Sequence, residues 1–146
     1  MPLREFTVES MTQKVRDARG HALVLVLYDP ESDDAYLVGD LYRWTTQVKP
    51  RVELFALAVG DRRDAQFLFR YAHEEGVQRI APEWLASSDP GMLQSAMAGL
   101  GVRVGDQWSP PLAAVIEPNG TVTAQWQGEM NYGDILTAAK AARQVD

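Results

Sequence analysis

The sequence predicts an α/β fold in which helices flank a central mixed β-sheet. Two apolar runs, LVLVLY (23–28) and VELFALAVG (52–60), have the unbroken hydrophobicity of strands that are covered on both faces. Near the C terminus, LAAVIE (112–117) and TVTAQWQG (121–128) enclose a Pro-Asn-Gly turn, which is the pattern of a β-hairpin. The length of 146 residues suits one domain, so we expect residues 1–146 to fold as a single unit.

The first helix is predicted before the first apolar run. Phe6 and Met11 flank Thr7 as a hydrophobic staple flanks an N-cap, and Gly20 is suited to a helix end. These signals predict a helix from about residue 8 to residue 19.

A second helix is predicted between the two apolar runs. Leu37, Leu41, Trp44 and Val48 recur at roughly helical spacing, and Pro50 ends the pattern before the strand at 52–60. The first half of the chain is therefore expected to alternate as helix, strand, helix, strand.

The middle of the chain contains two further predicted helices. Asp61 can cap a helix whose apolar side is Phe67, Leu68, Tyr71 and Ala72 and which ends at Gly76. Asp89-Pro90 has the form of an N-cap followed by proline at the first helical position, and that helix extends to about Leu100. Between them, a short strand is expected at 78–80 or at 84–86.

The C-terminal hairpin is followed by a last predicted helix. Asn131 is placed to cap it, Asp134 lies in its first turn, and it extends to about Arg143.

The charge balance argues against two classes of partner. The net charge is -6 and the basic residues are scattered, so neither nucleic acid nor an anionic membrane is expected as the main partner. The first residues lack the apolar core of a signal peptide, and no apolar run could span a bilayer. We expect a cytoplasmic location for the chain as written, or a periplasmic one if a leader has been removed.

The chain contains no cysteine. This excludes a disulfide framework, a cysteine-ligated metal, a thiol nucleophile and dithiol redox chemistry. No cofactor is expected.

Two stretches nevertheless resemble the thioredoxin-like superfamily, in particular its TlpA-like thiol-disulfide oxidoreductase branch. LVLVLYDPESDDAYL (23–37) is similar to the strand and active-site loop of that branch, which reads F-Y-D-P-x-C-x-x-C, and PLAAVIEPNG (111–120) is similar to its cis-proline segment. On this resemblance Ser32 and Ala35 occupy the two cysteine positions, Asp33 and Asp34 lie between them, and Pro111 is the cis-proline. The resemblance implies a thioredoxin-like fold with a C-terminal β-hairpin and helix.

The activity that this resemblance implies needs thiols that the chain lacks. A low-pKa thiolate must attack, and a second thiol must resolve the mixed disulfide. Serine and alanine are also the replacements that an experimenter would choose for a trapping variant, so a cysteine-substituted oxidoreductase is an alternative. Asp33 and Asp34 weigh against it, because carboxylates beside a cysteine raise its pKa.

The acidic loop contains residue types that two other kinds of site would use. Asp29, Glu31, Asp33 and Asp34 could offer oxygen ligands to Ca²⁺ or Mg²⁺, but their spacing matches no known loop, and we expect an acidic helix start without a metal. A hydrolase using Ser32 lacks the G-x-S-x-G elbow, and its base could be only one of the two histidines, His21 and His73.

The sequence therefore predicts a redox-inactive thioredoxin-like domain that binds a protein partner or supports assembly, as a chaperone does, rather than an enzyme. The alternatives are a cysteine-substituted oxidoreductase and a metal-binding enzyme that uses the acidic loop 29–34. Formation of a homo-oligomer is a further possibility. The resemblance places a substrate polypeptide beside the residue before the cis-proline. Here that residue is a proline without an N–H group, which weakens such pairing. The predicted binding surface consists of Tyr28, Asp29, Pro30, Tyr36, Trp108 and Pro110.

Overall fold

The fold was obtained as a computed structural model, which describes residues 4–29, 32–59, 83–85, 90–105 and 108–143. Four helices are described: α1 (Val8–Asp17), α2 (Asp34–Thr45), α3 (Pro90–Gly99) and α4 (Tyr132–Ala142). The six described strands are β1 (Arg4–Phe6), β2 (Ala22–Tyr28), β3 (Val52–Val59), β4 (Glu83–Leu85), β5 (Leu112–Ile116) and β6 (Val122–Gln127). These strands form one mixed sheet in the order β1-β4-β3-β2-β5-β6.

Strand β2 lies in the middle of this sheet. It pairs in parallel with β3 and antiparallel with β5, and all seven of its residues are buried. The unbroken run of aliphatic residues is therefore explained by helices on both faces of the sheet, as the sequence predicts.

Two apolar layers enclose the sheet. On one face, side chains of α1 and α3 pack on Leu23, Leu25 and Leu27 of β2. On the other face, side chains of α2 and α4 pack on Val24, Val26 and their neighbours. Alternate residues of one strand thus enter different layers, as the two-residue period of a strand requires.

The ends of α1 follow the signals in the sequence. Thr7 Oγ1 accepts a hydrogen bond from the Ser10 N–H at 3.1 Å, and Ser10 Oγ accepts one from the Thr7 N–H at 2.9 Å, so the two residues form a capping box. The helix ends at Asp17, two residues before the predicted end. The following turn includes Gly20 at φ +104°, a conformation that favours glycine.

The first strand was not predicted. Residues Arg4–Phe6 pair in parallel with Glu83–Leu85, far along the chain. A three-residue segment with two charged side chains has no strand pattern of its own, and only its partner makes it a strand. The short strand expected between the two middle helices is observed at 83–85, where it pairs with β1. The alternative strand at 78–80 and the helix predicted after Asp61 lie outside the described residues.

The C-terminal third agrees with the prediction. The Gly120 N–H donates to the Glu117 carbonyl at 2.8 Å and closes the hairpin turn, with Gly120 at φ +95°. Asn131 Oδ1 accepts from the Asp134 N–H at 3.1 Å and caps α4. In the part of the chain that the structure describes, no helix has both the length and the hydrophobicity needed to cross a membrane.

Candidate functional site

The loop after β2 and the residues before β5 meet at one end of the sheet. Leu27 of β2 lies opposite Leu112 of β5, which places Pro111 beside Tyr28. The carboxyl end of β3 lies at the same end, because β3 is parallel to β2. Ligands of open α/β sheets commonly bind beyond the carboxyl ends of the strands, so we call this end the active-site pole.

Ser32 is the most constrained polar residue described in the loop. Its Oγ accepts a hydrogen bond from the Asp34 N–H, two residues on, at 3.2 Å, in the turn that leads into α2. The same oxygen lies 2.8 Å from the Asp29 carbonyl oxygen and 3.0 Å from Asp34 Oδ2. Because a hydroxyl has one proton, it donates to one of these two acceptors at a time. The hydroxyl is therefore used in the local structure of this turn, and the N-cap of α2 is the next residue, Asp33.

Two acidic residues that follow Ser32, Asp33 and Asp34, lie at the start of α2. Asp33 is exposed and makes no side-chain capping bond, although its carbonyl accepts from the Tyr36 N–H at 3.0 Å. Asp34 lies in the first helical turn, where the partial positive charge of the helix favours a carboxylate. The carboxylates are thus arranged as the sequence predicts for an acidic helix start. They also make the pole locally negative, which disfavours formation of any anionic nucleophile there.

The conditions for a hydrolase or a metal site are not met by the described residues. His21 precedes β2 whereas Ser32 follows it, and a seven-residue strand separates its ends by roughly 20 Å. His73 and Glu31 lie outside the described residues. Within the described ranges, no three His, Asp or Glu side chains are grouped as metal ligands would be.

Tyr28 is placed in the core and not on the surface. Its side chain is only 2% exposed and packs in the layer that contains α2 and α4. Burial raises the pKa of Tyr28 well above its ordinary value, with smaller contributions from Tyr42 and Glu83. Burial likewise raises the pKa of Tyr42, and the charge of Glu83 adds to the effect. Tyr28 therefore packs in the core beneath the active-site pole, and its side chain is not accessible to a partner.

Other predicted binding residues are distributed between the core and the surface. Tyr36, in the first turn of α2, is 57% exposed. Trp108 is half-buried, and its ring packs against the layer that contains α1 and α3. Pro110 is half-buried and Pro111 is buried, and the peptide bond between them is cis. The Pro111 carbonyl accepts from the Gly128 N–H at 2.9 Å, so this oxygen is already used within the protein. Pro30 and the side chain of Ala35 lie outside the described residues.

Met92 was missed by the sequence analysis. It lies in the first turns of α3 and is 54% exposed, close to the value for Tyr36. The turn after α3 places Gly101 against Val122, at the end of the sheet opposite the active-site pole. The start of α3, which carries Met92, is therefore the end of that helix nearer the active-site pole. A single methionine in an amphipathic pattern gives no sign in the sequence that it will be exposed.

Comparison with known proteins supports the fold alone. No protein family model and no curated protein sequence matches this chain. Among solved structures, a thiol:disulfide interchange protein of the thioredoxin family from Chlorobium tepidum TLS is 20% identical, with 87% of this chain and 83% of that chain covered and a TM-score of 0.57. A thiol-disulfide isomerase from Corynebacterium glutamicum is 13% identical over 90% of this chain and 86% of its own, with a TM-score of 0.60.

A third similar structure is a secreted disulfide oxidoreductase from Mycobacterium tuberculosis. It is 12% identical, covers 86% of this chain and 85% of its own, and has a TM-score of 0.58. These likenesses confirm the thioredoxin-like fold that the sequence predicts. The chain has this fold and contains no cysteine.

Proposed function

We propose that this cysteine-free thioredoxin-like fold is a redox-inactive module that binds a protein partner at the active-site pole. The observation that carries the proposal is the state of Ser32. On the resemblance to the TlpA-like branch, this residue occupies the position of the attacking thiol, and its hydroxyl accepts from the Asp34 N–H while it donates to the Asp29 carbonyl or to the Asp34 carboxylate. A hydroxyl used in this way has neither the acidity nor the freedom of a nucleophile.

Exposed apolar groups at the same pole support binding. The large exposed hydrophobic side chains of the described residues are Tyr36 and Met92, and both lie towards this pole. Half-buried Trp108 and Pro110 precede the neighbouring strand. Aromatic residues and methionine are enriched in protein interfaces, where they supply buried apolar area.

The charge of the pole indicates the kind of partner. Asp33 and Asp34 lie within three residues of the exposed Tyr36 at the start of α2, and Asp29 lies in the preceding loop, so electrostatic complementarity favours a partner segment that carries basic and apolar side chains. The residue before Pro111 is a proline, which cannot donate a backbone hydrogen bond to that segment. Side-chain contacts are thus expected to contribute more to the affinity than strand-like pairing.

The first test concerns the chemistry of the site. The natural chain is expected to show no reduction of insulin disulfides, and the Ser32→Cys/Ala35→Cys variant is expected to form an internal disulfide and to gain slow exchange. Asp34 should keep this exchange slow by raising the pKa of the new thiol, because its carboxylate lies 3.0 Å from the Ser32 oxygen. Adding Asp34→Asn should therefore lower the thiol pKa and speed up the reaction. Failure of the two cysteines to pair would show that residues 32 and 35 are not the family's cysteine positions.

The second test concerns the partner. Capture from the native cell is compared for the natural chain, for the Tyr36→Ala/Trp108→Ala variant and for a control with Lys49→Ala and Thr121→Ala, which are exposed at the opposite pole. A partner that the control retains and the first variant loses, with weaker retention at high salt, is the expected result. Equal retention by all three proteins would exclude binding at the active-site pole. Thermal unfolding of each variant shows whether it is folded.

A further inference from the structure

A cavity lies at the end of the sheet opposite the active-site pole. It is bounded by the start of β2, the residues before β3, the turn of the β5–β6 hairpin and the end of α4. The cavity has a volume of about 390 Å³, within the usual range for small-molecule sites. Its lining residues are Gly20, His21, Ala22, Pro50, Arg51, Pro118, Asn119 and Arg143.

The lining is basic although the protein is acidic. Two arginines and a histidine line the cavity, and no lining residue is acidic. A third arginine, Arg19, lies against the hairpin turn, with its Nε 3.0 Å from where a Cβ on Gly120 would be. The net charge of the whole chain is -6, so the positive charge of this region is local.

Besides the basic lining, the side chain of Arg143 supports a ligand site. Its Nε is buried and has no hydrogen-bond partner, and no other buried side-chain nitrogen or oxygen within the described ranges is in this state. Leaving a charged donor buried and unpaired is costly. The carbonyl groups at the end of α4 favour a positive charge there, which accounts for an arginine but gives its Nε no acceptor.

Arg51 retains donors for a ligand. One of its nitrogens, Nη2, lies 2.7 Å from Glu53 Oε1, and the side chain is 66% exposed. A guanidinium group has five N–H donors, so one ion pair leaves several of them for a second acceptor. Glu53 is the acidic residue paired at the rim, and it does not line the cavity.

We propose that this cavity binds a small molecule through an oxyanion group, either a phosphate or a carboxylate. Arg143 lines the cavity, and a planar guanidinium suits two-point contact with such a group. Arg51 and His21 contribute further donors at the open side. This site is separate from the partner surface at the active-site pole and does not depend on it.

The test is a titration of the ¹⁵N-labelled full chain with inorganic phosphate and, separately, with citrate. Saturable shifts are expected at the amides of Gly20, Ala22, Asn119 and Arg143. Arg143→Gln should weaken the binding about tenfold to a hundredfold, since a hydrogen bond to a charged group is lost. The matched control, Arg103→Gln, changes an exposed arginine outside the cavity and should bind as the natural chain does.

A second variant separates binding from folding. Arg143→Met removes the unpaired nitrogen and keeps the apolar part of the side chain, so without ligand its free energy of unfolding should equal or exceed that of the natural chain. With phosphate or citrate present, only the natural chain should gain stability.

Three results would overturn the proposal. The first is the absence of saturable shifts with either anion. The second is equal binding by the natural chain and by Arg143→Gln. The third is binding that appears only after removal of residues 144–146, since the side-chain carboxylate of Asp146 would then be the ligand of the cavity.

Discussion

At the scale of single residues, the buried Tyr28 and the partly buried Tyr42 couple stability to alkaline pH. Tyr28 and Tyr42 both have a raised pKa in the folded protein, chiefly because burial disfavours the charged phenolate. In the unfolded chain each phenol has its ordinary pKa near 10. Above that pH the unfolded chain loses protons that the folded protein retains, and the equilibrium moves towards unfolding.

The free energy of unfolding is therefore expected to be unaffected by these groups below about pH 10 and to fall as the pH rises above that value. The combined slope should approach about 2.7 kcal/mol per pH unit. Tyr42→Phe should halve the slope, and Tyr28→Phe/Tyr42→Phe should remove this contribution. Urea unfolding at several alkaline pH values measures it. An unchanged slope in the double variant would show that other groups cause the loss of stability at alkaline pH.

At the scale of elements, two glutamines of β6 hold an extended segment beside the sheet. Gln125 Oε1 accepts a hydrogen bond from the Arg103 N–H at 2.8 Å, and Gln125 Nε2 donates to the Arg103 carbonyl at 2.7 Å. Gln127 Nε2 donates to the same carbonyl at 2.6 Å, and Gln127 Oε1 accepts a hydrogen bond from the Gly105 N–H at 3.3 Å. The side chains thus take the place of a neighbouring strand for residues 103–105. The segment can then bury Val102 and Val104 in the core while its backbone groups remain paired.

Replacing either glutamine with alanine should lower the free energy of unfolding by about 1–2 kcal/mol, since two hydrogen bonds are lost in each case. Amide exchange at Arg103 and Gly105 should become faster. Gln47→Ala is the control, because Gln47 is exposed after α2 and should change stability by less than about 0.5 kcal/mol. If all three variants are equally stable, the side chains do not hold the segment.

At the scale of the whole molecule, one ion pair joins parts of the chain that are distant in sequence. Lys14 Nζ of α1 lies 3.1 Å from Glu83 Oε2 of β4, and the glutamate is buried. The same ammonium group lies 4.5 Å from the centre of the Phe55 ring and 5.2 Å from that of Phe6. The pair therefore ties α1 to three strands of the sheet.

Lys14→Met should lower the free energy of unfolding by about 1–3 kcal/mol, because Glu83 would remain buried without its partner. Adding Glu83→Gln should restore part of the loss. The control is Arg43→Met, which breaks an exposed pair with Asp40 and should cost less than about 1 kcal/mol. Chemical denaturation of the four proteins measures these differences. A loss in Lys14→Met no larger than in Arg43→Met would contradict a structural role for the buried pair.

The sequence predicted the central elements well, because their signals are local. The aliphatic run of β2 identifies a strand covered on both faces, and Asn131 with Asp134 identifies the start of α4. The Pro-Asn-Gly turn identifies the hairpin. Strand β1 had no such signal, since three residues with two charges become a strand only beside β4.

The candidate site was predicted in its position along the chain but not in its surface. The loop after β2 and the segment before β5 were identified from the residues that resemble the thioredoxin-like superfamily. Their approach follows from the register of Leu27 with Leu112. Tyr28 was expected on the binding surface, yet it is buried, whereas exposed Met92 gave no signal. Exposure depends on what packs above a residue, which local sequence does not specify.

By itself, the sequence determined the order of the central elements and the absence of cysteine, because periodicity, caps and residue content are properties of the chain. Only the tertiary structure decided which ends of these elements meet. It engaged the Ser32 hydroxyl in the turn that leads into α2, and it brought Arg51 and Arg143 to one cavity although they are far apart along the chain. The physical reason is that burial and charge pairing arise from contacts between distant segments, which form only when the sheet and its two helical layers have assembled.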